Sequence, residues 1–211
     1  MESVLRDMLD KLCDLFNLID EKTGIMKNAG AKGELCNILK FELLSFLCCL
    51  AACDGRISRV EAKLIRDNFD LEMYPIHIKE FNYEHNIGKE EYFEKVPECL
   101  KLAVKVDNYM VNIKKSSDKG ISEFVLELFK VFGKAMVVAD EKVKAEEQIA
   151  WSRYITMMTC YLVEESLIYQ KKPEVIQRPG KPIEVDYEIS LDKIGRIYTL
   201  YIGTFSEFEE G

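Results

Sequence analysis

Two stretches of the chain, residues 41–65 and 127–151, repeat one another at an offset of 86 residues and leave few folds open. In each copy a long apolar segment is followed by an Asp, an aliphatic residue three positions later and a Glu seven positions later. A duplicated helix–turn–helix packs as a pseudo-symmetric helical bundle, because each half buries the apolar face of the other. The aligned pairs are Phe46 with Phe132, Leu50 with Met136, Asp54 with Asp140, Ile57 with Val143, Glu61 with Glu147 and Ile65 with Trp151.

Apolar residues elsewhere recur at the 3.6-residue period of amphipathic helices. Pro97 must lie in the first turn of its helix or break that helix, because proline lacks a backbone N–H. We therefore predict a mainly α-helical domain over residues 1–169, with repeat halves at about 34–69 and 121–155. The predicted helices cover about residues 3–20, 34–53, 58–69, 90–110, 121–139 and 145–169; residues 70–89 are ambiguous.

The last part of the chain has a different pattern. Pro173, Pro179 and Pro182 indicate an extended linker. Residues 183–189 alternate apolar and acidic side chains with a period of two, which is typical of a strand. We predict that residues 170–211 form a linker and a β-hairpin appended to the helical domain.

Composition excludes several classes of protein. The 211 residues carry 37 acidic and 29 basic side chains, a formal net charge of −8, whereas nucleic-acid binding requires a basic surface. No apolar run approaches the ~20 residues that span a bilayer, and the N-terminal residues do not resemble a signal peptide. We expect a cytoplasmic protein that binds no nucleic acid and does not insert into a membrane.

Residues 51–61 resemble the signature of the TerB-like family, Ala-Asp-Gly-x-Ile/Val-Ser-x-x-Glu, and a degraded copy recurs at residues 139–147. TerB-like domains are bacterial, all-helical domains of tellurite-resistance proteins and membrane-linked co-chaperones. The chain departs from this pattern at Cys53, where Ala is usual, and at Glu141, which replaces the second Gly. The resemblance implies an interaction module of a bacterial stress-response or envelope-linked assembly, and a divalent-cation site among the acidic residues.

The acidic motif allows two interpretations. In the first, it caps helices: Gly55 suits a left-handed helix end, while Ser58 and Glu61 form a capping box. In the second, the carboxylates of Asp54, Glu61, Asp140 and Glu147 bind a divalent cation such as Ca²⁺, Mg²⁺ or Mn²⁺. An EF-hand is rejected, because Leu50 and Ala52 occupy the places of its first two side-chain ligands.

A thiol site is the weaker metal hypothesis. Cys49 and Cys53 are four residues apart and would share a helix face, with His77 or His85 completing a zinc site. The chain has no Cys-x-x-Cys pair, so packing of these thiols in the core is favoured.

These patterns favour a non-enzymatic module that binds a protein partner. The first alternative is a metal-dependent enzyme acting on a small substrate through the four carboxylates. The second is a self-associating structural protein, such as a homodimer, because the phenylalanines at positions 41, 46, 124, 129 and 132 are numerous enough for both a core and a dimer interface.

Overall fold

The computed structural model describes residues 2–28, 33–87, 90–114, 120–140 and 143–165. The protein is mainly α-helical, and these ranges contain no strand. The predicted linker and hairpin at 170–211 lie outside the described residues. The helices are α1 (Glu2–Thr23), α2 (Ile25–Asn28), α3 (Leu35–Ala51), α4 (Arg59–Phe69), α5 (Pro75–Glu84), a 3-10 helix (Glu90–Glu94), α6 (Glu98–Lys114), α7 (Ile121–Val137) and α8 (Ala145–Glu164).

Helices α3 and α7 form the centre of the domain. In α3, 12 of 17 residues are buried, and in α7, 14 of 17 are buried, so neither helix has a broad polar face. The two helices pack against each other, and α1, α6 and α8 pack against both of them. Helices α4 and α5 also pack against α3, and α4 packs against α1. The repeat thus supplies the two central helices, and the other segments cover them.

Two helices begin against carboxylates that other helices supply. Glu42 of α3 accepts hydrogen bonds from the backbone N–H groups of Glu98 (2.6 Å) and Cys99 (2.7 Å) in the first turn of α6. The buried Asp107 of α6 accepts from the backbone N–H of Ser122 (2.9 Å) and from its hydroxyl (2.5 Å) at the start of α7. Both carboxylates satisfy unpaired N–H groups and face the positive end of a helix dipole, which holds α3, α6 and α7 in register.

The predicted helix over residues 90–110 is wrong at its start. The structure has the 3-10 helix up to Glu94, an irregular connection to Pro97, and α6 from Glu98. Pro97 therefore breaks the helix: it lacks an N–H and disfavours a helical conformation in the preceding residue. In the ambiguous segment 70–89, Pro75 instead opens α5, at the first position where its missing N–H costs nothing.

Gly133 of α7 lies in close contact with the Trp151 side chain of α8. A Cβ at this position would lie 2.4 Å from Cδ1 of Trp151, and 3.0 Å from Cζ of Phe46 on α3. Phe46 also stacks on Tyr154 of α8, with 4.8 Å between ring centroids. The absence of a side chain at Gly133 therefore lets three helices meet around the buried Trp151.

We predict that Gly133→Ala lowers the free energy of unfolding by about 1–3 kcal/mol, because overpacking outweighs the ~1 kcal/mol gain in helix propensity. Chemical denaturation measures this change. Trp151→Phe replaces the indole with a smaller ring and makes room for the added methyl group. The double variant should therefore lose less stability than the sum of the losses in the two single variants. Additive losses, or a Gly133→Ala variant as stable as the wild type, would contradict the close approach.

Candidate functional site

Lys144 joins the two interhelical turns of the repeat. It lies at the end of the turn between α7 and α8, and its Nζ donates a hydrogen bond of 2.6 Å to Oδ2 of Asp54 in the turn between α3 and α4. The same ammonium group lies 3.4 Å from Oδ2 of Asp140 and 3.9 Å from Oε1 of Glu147. Three of the four predicted carboxylates therefore surround one lysine, at one end of the bundle.

Asp54 is held in its ionised form. Burial opposes ionisation, but the hydrogen bond from Lys144 and a 2.8 Å hydrogen bond from the backbone N–H of Arg56 outweigh it and lower the pKa of Asp54. Gly55, the next residue, has φ +79°, in the left-handed region that glycine adopts without strain. The local turn thus aims the Asp54 carboxylate at the second copy of the repeat.

The fourth carboxylate, Glu61, belongs to a capping box at the start of α4. Its Oε2 accepts a 2.6 Å hydrogen bond from the backbone N–H of Ser58, and Ser58 Oγ accepts one of 3.1 Å from the backbone N–H of Glu61. Glu61 is fully buried, its Oε1 has no hydrogen-bond partner, and burial raises its pKa. Glu61 is therefore a helix cap whose second oxygen is buried near the charges of Asp140 and Lys144.

Glu147 occupies the equivalent position in α8 but lacks the cap. The N-cap position of α8 is Lys144, whose side chain makes no capping hydrogen bond. Glu147 is 1% exposed, and neither of its carboxylate oxygens makes a hydrogen bond. Burial, followed by the nearby charge of Glu61, raises the pKa of Glu147 to about 7. The second copy thus replaces a capping interaction with a buried acid that titrates near neutral pH.

The described residues do not fit a metal ion in this arrangement. No group of three or more His, Cys, Asp or Glu side chains within them is placed to hold one. The ammonium of Lys144 stands among Asp54, Asp140 and Glu147, where a bound cation would neutralise their repulsion. Metal binding stays a prediction of the sequence, and it requires Lys144 to move.

The described residues group neither Cys49 and Cys53 with a histidine nor any other three potential ligands in a way that could hold a metal ion. Cys53 donates a hydrogen bond of 3.3 Å to the backbone carbonyl of Cys49, and burial raises the pKa of Cys53 to about 12. His77 contacts the carbonyl of Glu72 through Nδ1 (2.7 Å), whereas His85 packs on the rings of Phe41 and Phe81.

Sequence reasoning brought the four carboxylates together but missed the group that organises them. Lys144 looks unremarkable in the sequence, except that it lies four residues after Asp140 and three before Glu147, which are helical pair spacings. Its partner Asp54 is 90 residues away, and no spacing rule reports such a contact.

The comparisons with known proteins supply no family: no family model matches the chain, and neither the curated proteins nor the solved structures give a significant match. The TerB-like resemblance therefore rests on residues 51–61 and 139–147. Across the described helices, none is both long enough and apolar enough to cross a bilayer.

We predict that Glu147→Gln flattens the pH dependence of stability. The folded-state pKa of about 7 exceeds the ordinary value of 4.5, so the fold binds this proton more tightly than the unfolded chain does. The free energy of unfolding therefore falls as pH rises through the range between these two pKa values. Over the measured interval from pH 5 to 8 the loss is roughly 2 kcal/mol. Urea unfolding at several pH values measures this loss. The exposed neighbour Glu146, changed to Gln, is the control and should leave the slope intact; an unchanged slope in Glu147→Gln contradicts the assignment.

We predict that Lys144→Met lowers the Tm at pH 7 and moves the titration of Glu147 further upward, because the ammonium stabilises the ionised carboxylates. With the ammonium removed, Ca²⁺, Mg²⁺ or Mn²⁺ should raise the Tm of the metal-stripped variant saturably. Thermal unfolding of the wild type and of Lys79→Met, an equal charge change on α5, should show no such rise. A saturable rise in the wild type would instead support the predicted metal site.

Proposed function

We propose that the chain is a non-enzymatic helical module that binds a protein partner through the outer face of α5. The observation that carries this proposal is the exposure of large apolar side chains there: Ile76 is 57% exposed and Tyr83 is 86% exposed. The two residues are seven apart, so they lie on the same side of the helix. Tyr74, just before α5, is 50% exposed and adds a second aromatic ring.

The inner side of α5 anchors this face. Asn82 donates a hydrogen bond of 2.9 Å to the carbonyl of Cys48 on α3, and Ile78 is fully buried. Phe81 packs on Phe41, with 5.9 Å between ring centroids. Because these contacts fix the helix, Ile76 and Tyr83 cannot turn toward the core. Tyrosine is among the residues that most often anchor protein interfaces.

The polar groups of this region suit recognition of a protein surface. Lys79 and Glu80 lie between the two apolar anchors and are exposed. An apolar centre with charged groups beside it is the usual composition of a protein interface. The expected partner is therefore a protein with an apolar groove and charges of both signs at its rim.

A surface cleft between α1, α2 and α6 is smaller than a typical small-molecule binding site. Its volume is about 220 Å³, below the ~300 Å³ at which ligand pockets usually begin. The lining residues are Thr23, Ile25, Asn28, Lys105 and Val106.

The resemblance to TerB-like domains supports the same class of function, a module of a bacterial stress-response or envelope-linked assembly. In this proposal the acidic end of the bundle, where Asp54, Asp140 and Glu147 surround Lys144, has a structural role. Lys144 joins the two halves there, and Glu147 makes the strength of that junction depend on pH.

Site-specific photo-crosslinking in cells of the native host tests the proposal. A benzophenone amino acid replaces Tyr83, and in a control chain it replaces Asn17 on the exposed face of α1. We expect a discrete adduct with another protein from position 83 and none from position 17. Ile76→Glu should abolish this adduct, whereas Ile149→Glu, the same change at an exposed isoleucine of α8, should preserve it.

Other outcomes separate the alternatives. An adduct with a second copy of the chain identifies the face as a homodimer interface. An adduct that persists in Ile76→Glu, or no adduct from position 83, removes the α5 face from the proposal. Deletion of residues 171–211 then asks whether the predicted hairpin captures the partner instead.

A further inference from the structure

The outer face of α5 carries a pattern of side chains that is complementary to itself. Its exposed stripe, at helical spacing, consists of Ile76, Lys79, Glu80 and Tyr83. The two apolar anchors stand at its ends, and the two opposite charges stand side by side between them. Read from either end, the stripe runs from an apolar residue through a pair of opposite charges to an apolar residue. A second copy of the same stripe therefore meets the chemical requirements of a partner.

The order of the charges selects how two copies can pair. If a twofold axis passes between Lys79 and Glu80, the two α5 helices lie antiparallel, and Lys79 of each copy lies opposite Glu80 of the second copy. Ile76 then lies opposite Tyr83 of the second copy. Because a twofold axis repeats every contact, the interface has two ion pairs and two apolar contacts. In a parallel pair each lysine would face a lysine and each glutamate a glutamate, and like charges repel.

The neighbouring charge on α5 fits the same arrangement. Glu84 is exposed beside the stripe, and the antiparallel register places it opposite Pro75 of the second copy, where it meets no like charge. The inner side of α5 is fixed to α3 through Asn82 and Ile78, so the outer stripe is presented as one rigid surface. A preformed surface loses little conformational entropy when it pairs.

The area of contact between two α5 helices is small. The helix has 10 residues, a length of about 15 Å, so two facing copies bury less than the ~1,200 Å² at which stable complexes begin. We therefore expect a weak pair that forms and dissociates readily, with a Kd above about 1 μM. A protein partner with a larger contact area would displace the second copy.

We propose that, without a bound partner, two copies of the chain pair through their α5 helices, antiparallel about a twofold axis between Lys79 and Glu80. This inference rests on the function proposed above, because it concerns the same face, and it adds a means of regulation. A copy held in the pair cannot offer Ile76 and Tyr83 to another protein. Binding of the protein partner should therefore weaken as the concentration of the chain rises.

Sedimentation velocity of the purified full chain tests the pairing. A reductant is present, because the exposed Cys160 could otherwise join two chains by a disulfide. We expect the weight-average mass to rise with concentration from the 24.4 kDa of one chain toward twice that value.

Charge reversal tests the register. Lys79→Glu and Glu80→Lys should each raise the Kd about tenfold or more, because each change places two pairs of like charges opposite one another. Lys105→Glu, the same charge change at an exposed lysine of α6, is the control and should leave the Kd unchanged.

A mixture of the two reversed chains is the sharper measurement. Neither chain should pair with itself, but the two should pair with each other, because every Glu at these positions then faces a Lys. The double variant Lys79→Glu/Glu80→Lys should also regain self-association, since the antiparallel register restores both ion pairs. The Tm of each variant shows that the chain is folded, and these exposed changes should leave it close to the wild-type value.

Photo-crosslinking of the purified chain locates the contact. A benzophenone amino acid at position 83 should join the peptide that contains Ile76 of a second copy, which an equal mixture of isotope-labelled and unlabelled chains identifies. An adduct within one chain, or with a different peptide of the second copy, overturns the proposed pairing. A wild-type chain that stays monomeric up to about 500 μM also overturns it, as does a mixture of reversed chains that does not associate.

These outcomes are distinguishable from failure of the proposed function. If the purified chain is monomeric but position 83 still gives an adduct with another protein in cells, the pairing is wrong and the partner-binding face stands. If the reversed chains pair as expected but position 83 gives no adduct with another protein in cells, the pairing stands and the proposed function is wrong.

Discussion

Burial of two helices that lack a broad polar face governs the rest of this domain. Helices α3 and α7 expose little of their surface, so the remaining helices must cover them, and their arrangement follows from that requirement. Hydrophobic burial is not directional, so other contacts must fix the geometry. Gly133 leaves room for Trp151 of α8 to pack against α7, and the carboxylates of Glu42 and Asp107 hold the first turns of α6 and α7.

The acidic end of the bundle shows how charges at a repeated motif are balanced. The ammonium group of Lys144 offsets part of the repulsion between the three carboxylates around it. Its hydrogen bond to Asp54 joins the two halves of the repeat. Glu61 gains hydrogen bonds through its capping box, whereas Glu147 gains none. Duplication thus preserved the acidic positions of the motif but not their local partners, and a buried acid with a raised pKa is the result.

Much of the fold was predictable from residue patterns. The periodicity located α1, α3, α4, α7 and α8 to within a few residues, because long amphipathic or apolar segments carry a strong helical signal. The extent of α6 was not predictable, since Pro97 allowed either a helix start or a break and only packing chose between them. In the site, the spacing identified the four acidic positions. It did not identify Lys144 as their shared counter-ion, because that role depends on a contact across the bundle.

The sequence by itself determined the helical class, the duplicated helix–turn–helix, the capping box of Ser58 and Glu61, and the left-handed turn at Gly55, because each depends on interactions between residues close in the chain. Only the tertiary structure decided the rest. It placed Lys144 beside Asp54, and it left Ile76 and Tyr83 facing outward. These features join or expose residues on separate helices, and their geometry follows from how a whole core packs.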